Sequence, residues 1–149
     1  MANVKFEGGK ELEKLLAKAG KGSVQGVDVG VFASSAYQDG TPVAAVLATH
    51  EFGDPDRNIP ERPTFRPAIQ SIQDKLVDIL KKSVDPKKMI VDAATAGRMG
   101  LALQQRVQLN ITQLTSPPNS PSTIAAKGSS SPLIDTGQMR ESITYKVDK

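Results

Sequence analysis

The residue pair His50-Glu51 is the first candidate for chemistry, because an imidazole beside a carboxylate can act as a general base. His50 is the only histidine in the chain, and there is no cysteine. No serine lies in the Gly-x-Ser-x-Gly pattern of a nucleophile elbow. The pattern therefore favours a partly buried histidine at a helix C-terminus, where the helix dipole would stabilise the charged imidazole. A small hydrolase that uses His50 is one alternative.

Two further patterns could bind ligands. Asp54 and Asp56 together with Glu51 could attract a cation, but acidic residues beside a turn are more often solvated. The spacing Gly20-x-Gly22-x-x-x-Gly26 differs from that of a dinucleotide loop, and it follows a predicted helix instead of opening one. The composition excludes zinc sites made of cysteines or paired histidines. We therefore expect no catalytic residue, no cofactor and no metal.

The charge of the chain gives little support to nucleic-acid binding. Its 149 residues contain 19 Lys and Arg against 16 Asp and Glu, which gives a net charge of +3. Residues 51–100 carry nine bases and eight acids, and residues 101–149 carry five and three. A strong phosphate contact needs a dense basic patch, which this distribution does not provide. A DNA-binding accessory protein is therefore an alternative, not the first hypothesis.

The length of the chain predicts a single domain over residues 1–149. No signal peptide is expected, because the first 16 residues contain no continuous apolar segment. No run of 18 apolar residues indicates a membrane span. Alternating valines predict the strand Gly26–Phe32, and alternation in Ile143–Val147 predicts its partner. Val4–Phe6 is a shorter candidate strand.

Apolar residues at helical spacing predict four helices. They are Lys10–Ala19, a short helix with Thr41 as N-cap that ends at Gly53, Pro67–Ser83 and Lys87–Leu114. Together with the strands they predict an α+β fold, with a small, mostly antiparallel sheet and helices packed on one face. Asp135 is expected to cap one further helical turn that contains Gln138.

Two segments are expected to be irregular. Residues 54–67 contain four prolines, which predicts a stiff strut. Residues 115–132 are rich in proline and serine, which predicts a loop without packed structure that is flexible or ordered by assembly. This loop and the last long helix look too large for the core, so we expect them to project or to pack on another subunit. Gly97 and Gly100 in that helix indicate close packing or a bend.

Several segments in order resemble one known signature. The first segments are Val29-Gly-Val-Phe32, Gly40-Thr-Pro-Val43, His50-Glu-Phe-Gly53, Ile59-Pro-Glu-Arg-Pro63 and Phe65-Arg-Pro67. The later ones are Pro132-Leu-Ile-Asp-Thr-Gly-Gln-Met-Arg140 and Ser142-Ile-Thr-Tyr145. The set resembles the tailed-phage neck and tail-completion proteins, which act in virion morphogenesis and head–tail joining. His50 is a mild departure, because such proteins more often have Asn or another small polar residue there.

The resemblance assigns family-motif positions in both halves of the chain. They are Glu51, Phe52, Gly53, Ile59, Pro60, Pro63, Pro67, Leu133, Ile134, Asp135, Thr136, Gly137, Met139 and Arg140. It implies a structural virion protein that forms a ring at the head–tail junction, not an enzyme. The ring would complete the tail or neck and let DNA pass. Its expected location is the virion, and the host cytoplasm during assembly.

The resemblance also implies partners. They are other copies of the chain in a six-fold or twelve-fold ring, the head–tail connector, and tail terminator or tail tube proteins. Duplex DNA would be only a passing contact in the lumen, and no membrane is involved. Tail completion and a neck or gateway ring bound directly to the connector both stay open.

Eight residues are candidates for contacts between subunits. They are Arg62, Phe65, Arg66, Gly97, Gly100, Pro117, Pro118 and Pro121. Arg62 and Arg66 are expected to anchor a carboxylate of the sheet or of the next subunit. Phe65 is expected either at that contact or in the domain's own core.

Overall fold

The fold is arranged around one long helix that packs against a two-stranded sheet and a second helix. A computed structural model describes residue 24 and residues 26–32, 34–84 and 90–148. The elements in order are β1 (Gly26–Gly30), α1 (Val43–Phe52), a 3-10 turn (Pro55–Arg57), α2 (Phe65–Ser83), α3 (Ala93–Gln113), α4 (Pro121–Lys127), α5 (Gln138–Glu141) and β2 (Thr144–Asp148). This arrangement is α+β, and it confirms the predicted fold class. The predicted strand Val4–Phe6 and helix Lys10–Ala19 lie outside the described residues.

Strands β1 and β2 pair antiparallel, as predicted. Val27 lies opposite Val147, and Val29 opposite Tyr145. β1 ends at Gly30, two residues earlier than expected, and β2 begins one residue later, after the buried Ile143. Beyond this pair, the described residues show only isolated bridges, at 36–42 and 54–59.

Helix α3 does not project from the domain, because it is the element that contacts both strands, α2 and α5. Val107 and Ile111 on this helix are almost fully buried. The helix begins at Ala93, later than the predicted Lys87, since the Asp92 carboxylate accepts a hydrogen bond from the Thr95 N–H at 2.7 Å and so caps it. Its 21 residues span about 31 Å.

The largest hydrophobic cluster joins the early and late parts of the chain. Its buried members are Val43, Leu47, Phe65, Ala68, Val107, Ile111, Leu133, Met139 and Ile143. They come from α1, α2, α3, α5 and the segments before α5 and β2. Both parts of the resembling signature therefore contribute to one core.

Two predicted N-caps are wrong. Pro42, not Thr41, is the N-cap residue of α1, and the Thr41 N–H instead binds the Asp39 carboxylate at 2.9 Å. Gly137, not Asp135, is the N-cap residue of α5; it has a φ of 85°, a value that glycine tolerates. Gly53 ends α1 as predicted, with a φ of 73°.

The expectation that residues 115–132 hold no regular structure is also wrong. Helix α4 lies in this segment, and the Ser120 hydroxyl accepts a hydrogen bond from the Thr123 N–H at its start. Pro121 occupies the first helical position, and Gly128 ends the helix in the left-handed conformation. Serine before proline and a following glycine are typical helix boundaries, but the length and composition of the segment concealed them.

Candidate functional site

The junction between α1 and α2 is built on one buried carboxylate, that of Glu51. Its side chain is 3% exposed at the last turn of α1. Oxygen Oε2 accepts hydrogen bonds from the backbone N–H groups of Thr64 at 2.6 Å and Phe65 at 3.1 Å. Oxygen Oε1 accepts one from the Arg66 N–H at 3.1 Å. Glu51 therefore caps helix α2 from a distance of 13 residues in sequence.

This cap accounts for the start of α2 two residues before the predicted Pro67. The first N–H groups of a helix have no partner inside it. Glu51 binds those of Phe65 and Arg66, Pro67 has none, and the Ala68 N–H donates to the Thr64 carbonyl at 3.3 Å. A carboxylate here also interacts favourably with the helix dipole. Every backbone donor in the first turn is thus either satisfied or absent.

Arg66 covers the outer side of the same junction. Its Nη2 donates to the Glu51 carbonyl at 2.8 Å and to the Glu61 carboxylate at 2.8 Å. Its Nε lies 3.5 Å from Glu51 Oε1, and its guanidinium carbon lies 6.0 Å from the centre of the Phe52 ring. The hydrogen bond with Glu61 raises the pKa of Arg66 above its usual value. Arg66 does anchor carboxylates, as expected, but they belong to α1 and the strut and not to the sheet.

Arg62 binds backbone carbonyls, which corrects the expected pairing with a carboxylate. Its side chain is buried, and its Nε and Nη2 donate to the carbonyls of Pro117 at 2.9 Å and Pro118 at 3.0 Å. Its own N–H donates to the His50 carbonyl at 2.6 Å. Burial lowers the pKa of Arg62 from its usual value. Arg62 therefore ties the strut to the start of the segment 115–132 within one chain.

The predicted charged state of His50 is wrong. Burial is the largest cause that lowers the pKa of His50, and the nearby positive charges of Arg62 and Lys127 lower it further. Burial and the two positive charges both favour the neutral imidazole, opposite to the effect expected from the helix dipole. No hydroxyl or carboxylate among the described residues binds its buried Nδ1 atom.

The turn after α1 requires glycine and leaves an aromatic ring outside. At Gly53 a Cβ atom would lie 3.1 Å from the Glu61 backbone nitrogen and the Ile59 carbonyl oxygen. Phe52, in contrast, is 54% exposed. A shallow depression of about 520 Å³ lies beside it; its lining residues are Phe52, Gly53, Pro55, Asn58, Ile59, Pro60 and Glu61. Five of these seven lining residues belong to the signature segments, and Phe52, Ile59 and Pro60 are the apolar side chains of signature residues among them.

The late part of the signature mainly supports the core. Leu133 and Met139 are buried in the main cluster, and Ile134 packs against it. Asp135 and Thr136 are exposed. The Gln138 amide donates to the Ala36 carbonyl at 2.8 Å, which connects α5 to the chain after β1.

Several residues expected between subunits are instead used inside this chain. Phe65 is 5% exposed in the main core. A Cβ atom on Gly100 would lie 2.6 Å from the Tyr145 ring and 2.8 Å from Val27, so this glycine lets α3 approach the sheet. A Cβ atom on Gly97 would lie 3.6 Å from the Tyr145 hydroxyl oxygen. Phe65, Gly100 and Arg62 are buried within this chain and Gly97 is half-buried, whereas Pro118 and Pro121 are exposed and Pro117 is half-buried.

Two residues of the site carry no clear signal in the sequence. The Asn110 amide on α3 donates to the Thr64 carbonyl at 2.9 Å and so holds the start of α2. Lys127 donates to the carbonyls of Ser131 at 2.9 Å and Pro132 at 3.5 Å. Each contact joins residues that only the folded chain or a local turn brings together. Neither residue type has a spacing that predicts its partner.

The described ranges contain no group of three or more His, Asp or Glu residues arranged to hold a metal ion. Glu51 is bound to α2, and Asp54 pairs with Arg57 at 2.6 Å, so the suggested acidic cluster does not form. No helix in the described part of the chain is long and apolar enough to cross a membrane.

Comparison with known proteins gave no match to a family model, to a curated protein or to a solved structure.

Proposed function

We propose that this chain is a structural subunit of a tailed-phage head–tail junction, that it forms a ring completing the tail or neck, and that it is not an enzyme. The proposal rests on the ordered sequence signature. The observation that carries it is the role of Glu51, Arg66 and Gly53, three signature positions that hold one junction together while Phe52 stays outside. Such a division between a rigid support and an exposed aromatic suits an assembly surface.

The surface formed by Phe52, Ile59 and Pro60 is the proposed contact with the next subunit. Protein interfaces are enriched in aromatic residues and arginine, and Arg66 lies beside the Phe52 ring. A ring requires a head-to-tail contact in which this surface meets a different surface of its neighbour. The ring could complete the tail or form a neck ring on the connector, and these two positions are two versions of the same proposal.

The decisive experiment measures assembly of the full chain alone and with connector or tail proteins. Mass photometry and negative-stain images should show closed rings in at least one mixture, and the protein should be present in purified virions. Phe52→Asp should weaken assembly about 30-fold or more, as expected for an aromatic hot spot. Leu109→Asp is the matched control, because Leu109 is 41% exposed on α3 and does not line the depression beside Phe52; this variant should leave assembly unchanged.

A strictly monomeric protein that is also absent from virions would refute the proposal. Duplex binding offers a second test, since a ring that lets DNA slide should bind it weakly. Tight binding at about 50 mM salt, lost steeply as salt rises, would instead support a DNA-binding protein.

A further inference from the structure

The single histidine of the chain lies in an unusual electrostatic position. Its Nδ1 atom is buried and has no hydrogen-bond partner in the part of the chain that the structure describes. Arg62 from the strut and Lys127 from α4 are both close enough to act on the imidazole. Adding a proton to His50 would therefore place a third positive charge beside two others.

The two cations have different roles in the segment 115–132: Arg62 binds it to the strut, whereas Lys127 lies inside it and binds its last residues. Arg62 binds the carbonyls of Pro117 and Pro118 near the start of the segment. Lys127 binds the carbonyls of Ser131 and Pro132 at its end. Asn119 adds a long hydrogen bond of 3.4 Å to Ser131. Repulsion at His50 would consequently act on Arg62, which binds the segment to the strut, and on Lys127, which the segment carries.

Helix α4 itself has little buried surface to oppose its release. Helix α4 has no buried residue, and Lys127 is the one charged residue in the sequence of the segment. On His50's own helix, the neighbouring Glu51 carboxylate is occupied by the N–H groups at the start of α2. It is not turned to neutralise a charged imidazole.

We propose that protonation of His50 releases the segment 115–132 from the strut, so that the histidine acts as an acid-sensitive switch. A charged imidazole has two N–H donors, and its Nδ1–H needs an acceptor that the closed arrangement does not supply. Opening the segment admits water to this nitrogen and increases the distance between the positive charges. The inference concerns this chain alone and does not depend on the proposed ring.

The expected direction with pH follows from linkage. The pKa of His50 is lowered in the closed state below its ordinary value of 6.5, so the open state binds the proton more tightly. The closed segment is fully stable above pH 6.5 and loses stability as the pH falls through the lowered pKa. Because one proton is taken up on opening, the opening constant should rise by up to about tenfold per pH unit in this window.

Nuclear magnetic resonance of the full chain can test this between pH 5 and 8. The N–H groups of Ile124 and Gly128 are hydrogen-bonded within α4 and report on opening of the segment. Their exchange, corrected for the intrinsic effect of pH, should accelerate in acid. Amides of Val107 and Ile111 in α3 serve as references and should not follow. The imidazole signals of His50 should titrate over the same pH range as the opening.

His50→Asn is the matched variant, because asparagine is polar but does not titrate. Its α4 amides should show no acid-dependent opening, whatever their baseline protection. An equal acid response in this variant would overturn the proposal. So would a wild-type segment that opens to the same extent at pH 5 and pH 8, or an imidazole titration whose midpoint differs from that of the opening.

Discussion

The junction at Glu51 and the segment 115–132 are each held by a buried charged side chain that binds backbone groups. They differ in whether the element held by this side chain contributes to the hydrophobic core. Glu51 binds three N–H groups, and Phe65 and Ala68 directly beyond them lie in the main core. Arg62 binds two carbonyls of a segment whose helix α4 buries no residue. The first anchor joins two parts of the core, whereas the second attaches a surface element.

This difference separates two kinds of stability. Loss of an anchor inside the core should weaken the whole fold, because its elements unfold together. Loss of an anchor on a surface segment should open that segment and leave the rest intact. Four substitutions test whether the loss of stability is global or confined to the segment 115–132, and they are ordered by decreasing expected effect.

Glu51→Gln should produce the largest loss. The substitution keeps the size of the side chain but turns an NH₂ group toward backbone donors that are buried at the start of α2. We expect a decrease in the free energy of unfolding of about 2–4 kcal/mol, measured by urea denaturation. Glu61→Gln is the control, because Glu61 also binds Arg66 but is 58% exposed, and it should change stability little. Equal losses of stability in the two variants would show that the buried Glu51 carboxylate contributes no more than the exposed Glu61 carboxylate.

Gly100→Ala should be next, and it extends the test to the packing of α3 on the sheet. The added methyl group would lie 2.6–2.8 Å from Tyr145 and Val27, which requires one of the elements to shift. A loss of about 1–3 kcal/mol is expected. In Gly97→Ala the added methyl group would lie 3.6 Å from the Tyr145 hydroxyl, an ordinary contact distance, so the better helix propensity of alanine should stabilise the protein by up to about 1 kcal/mol. A destabilised Gly97→Ala variant would contradict this geometry.

The sequence predicted well those features that depend on local pattern. Alternating valines located β1 and indicated its pairing with β2, and apolar spacing located α2 through Ser83. Gly53 was correctly predicted to end α1 because that requirement is local. The α+β class follows from these elements alone.

Two of the errors at the site arise where a contact joins distant residues. α2 begins at Phe65 because Glu51 caps it from another helix, which no pattern near Pro67 indicates. Burial beside Arg62 and Lys127 lowers the pKa of His50, whereas helix position alone favours a positive charge. The two glycines of α3 correctly indicated close packing. Their partner, the Tyr145 ring, became evident only from the fold.

Arg62→Lys should open the second region while leaving the first largely intact. Lysine has one donor group and cannot reproduce the paired bonds from Nε and Nη2 to two consecutive carbonyls. We expect the closed state of the segment to lose about 1–2 kcal/mol, so amide exchange in α4 should accelerate roughly 5- to 30-fold. Exchange in the core of α3 should change much less. Equal acceleration in both helices would mean that the segment belongs to the same cooperative unit.

The smallest effect is expected for Ser120→Ala, which has a chemically similar counterpart in the core. Ser120 caps α4 through the Thr123 N–H, and Asp92 caps α3 through the Thr95 N–H. Ser120→Ala should weaken α4 by about 1 kcal/mol and speed its amide exchange about fivefold, without a shift in the thermal midpoint of the whole protein. Asp92→Ala should lower that midpoint, because the helix it caps contacts both strands and α2. In wild type, the Asp92 cap should also weaken in strong acid. Hydrogen bonds with Thr95 hold the pKa of Asp92 below its usual value, so its contribution to stability is lost as the pH falls through that pKa.

The two caps are of the same kind, so a difference between the effects of Ser120→Ala and Asp92→Ala on the thermal midpoint would come from the different burial of the helices they support. If the serine variant lowered the midpoint as much as the aspartate variant, the segment 115–132 would have to be part of the core fold.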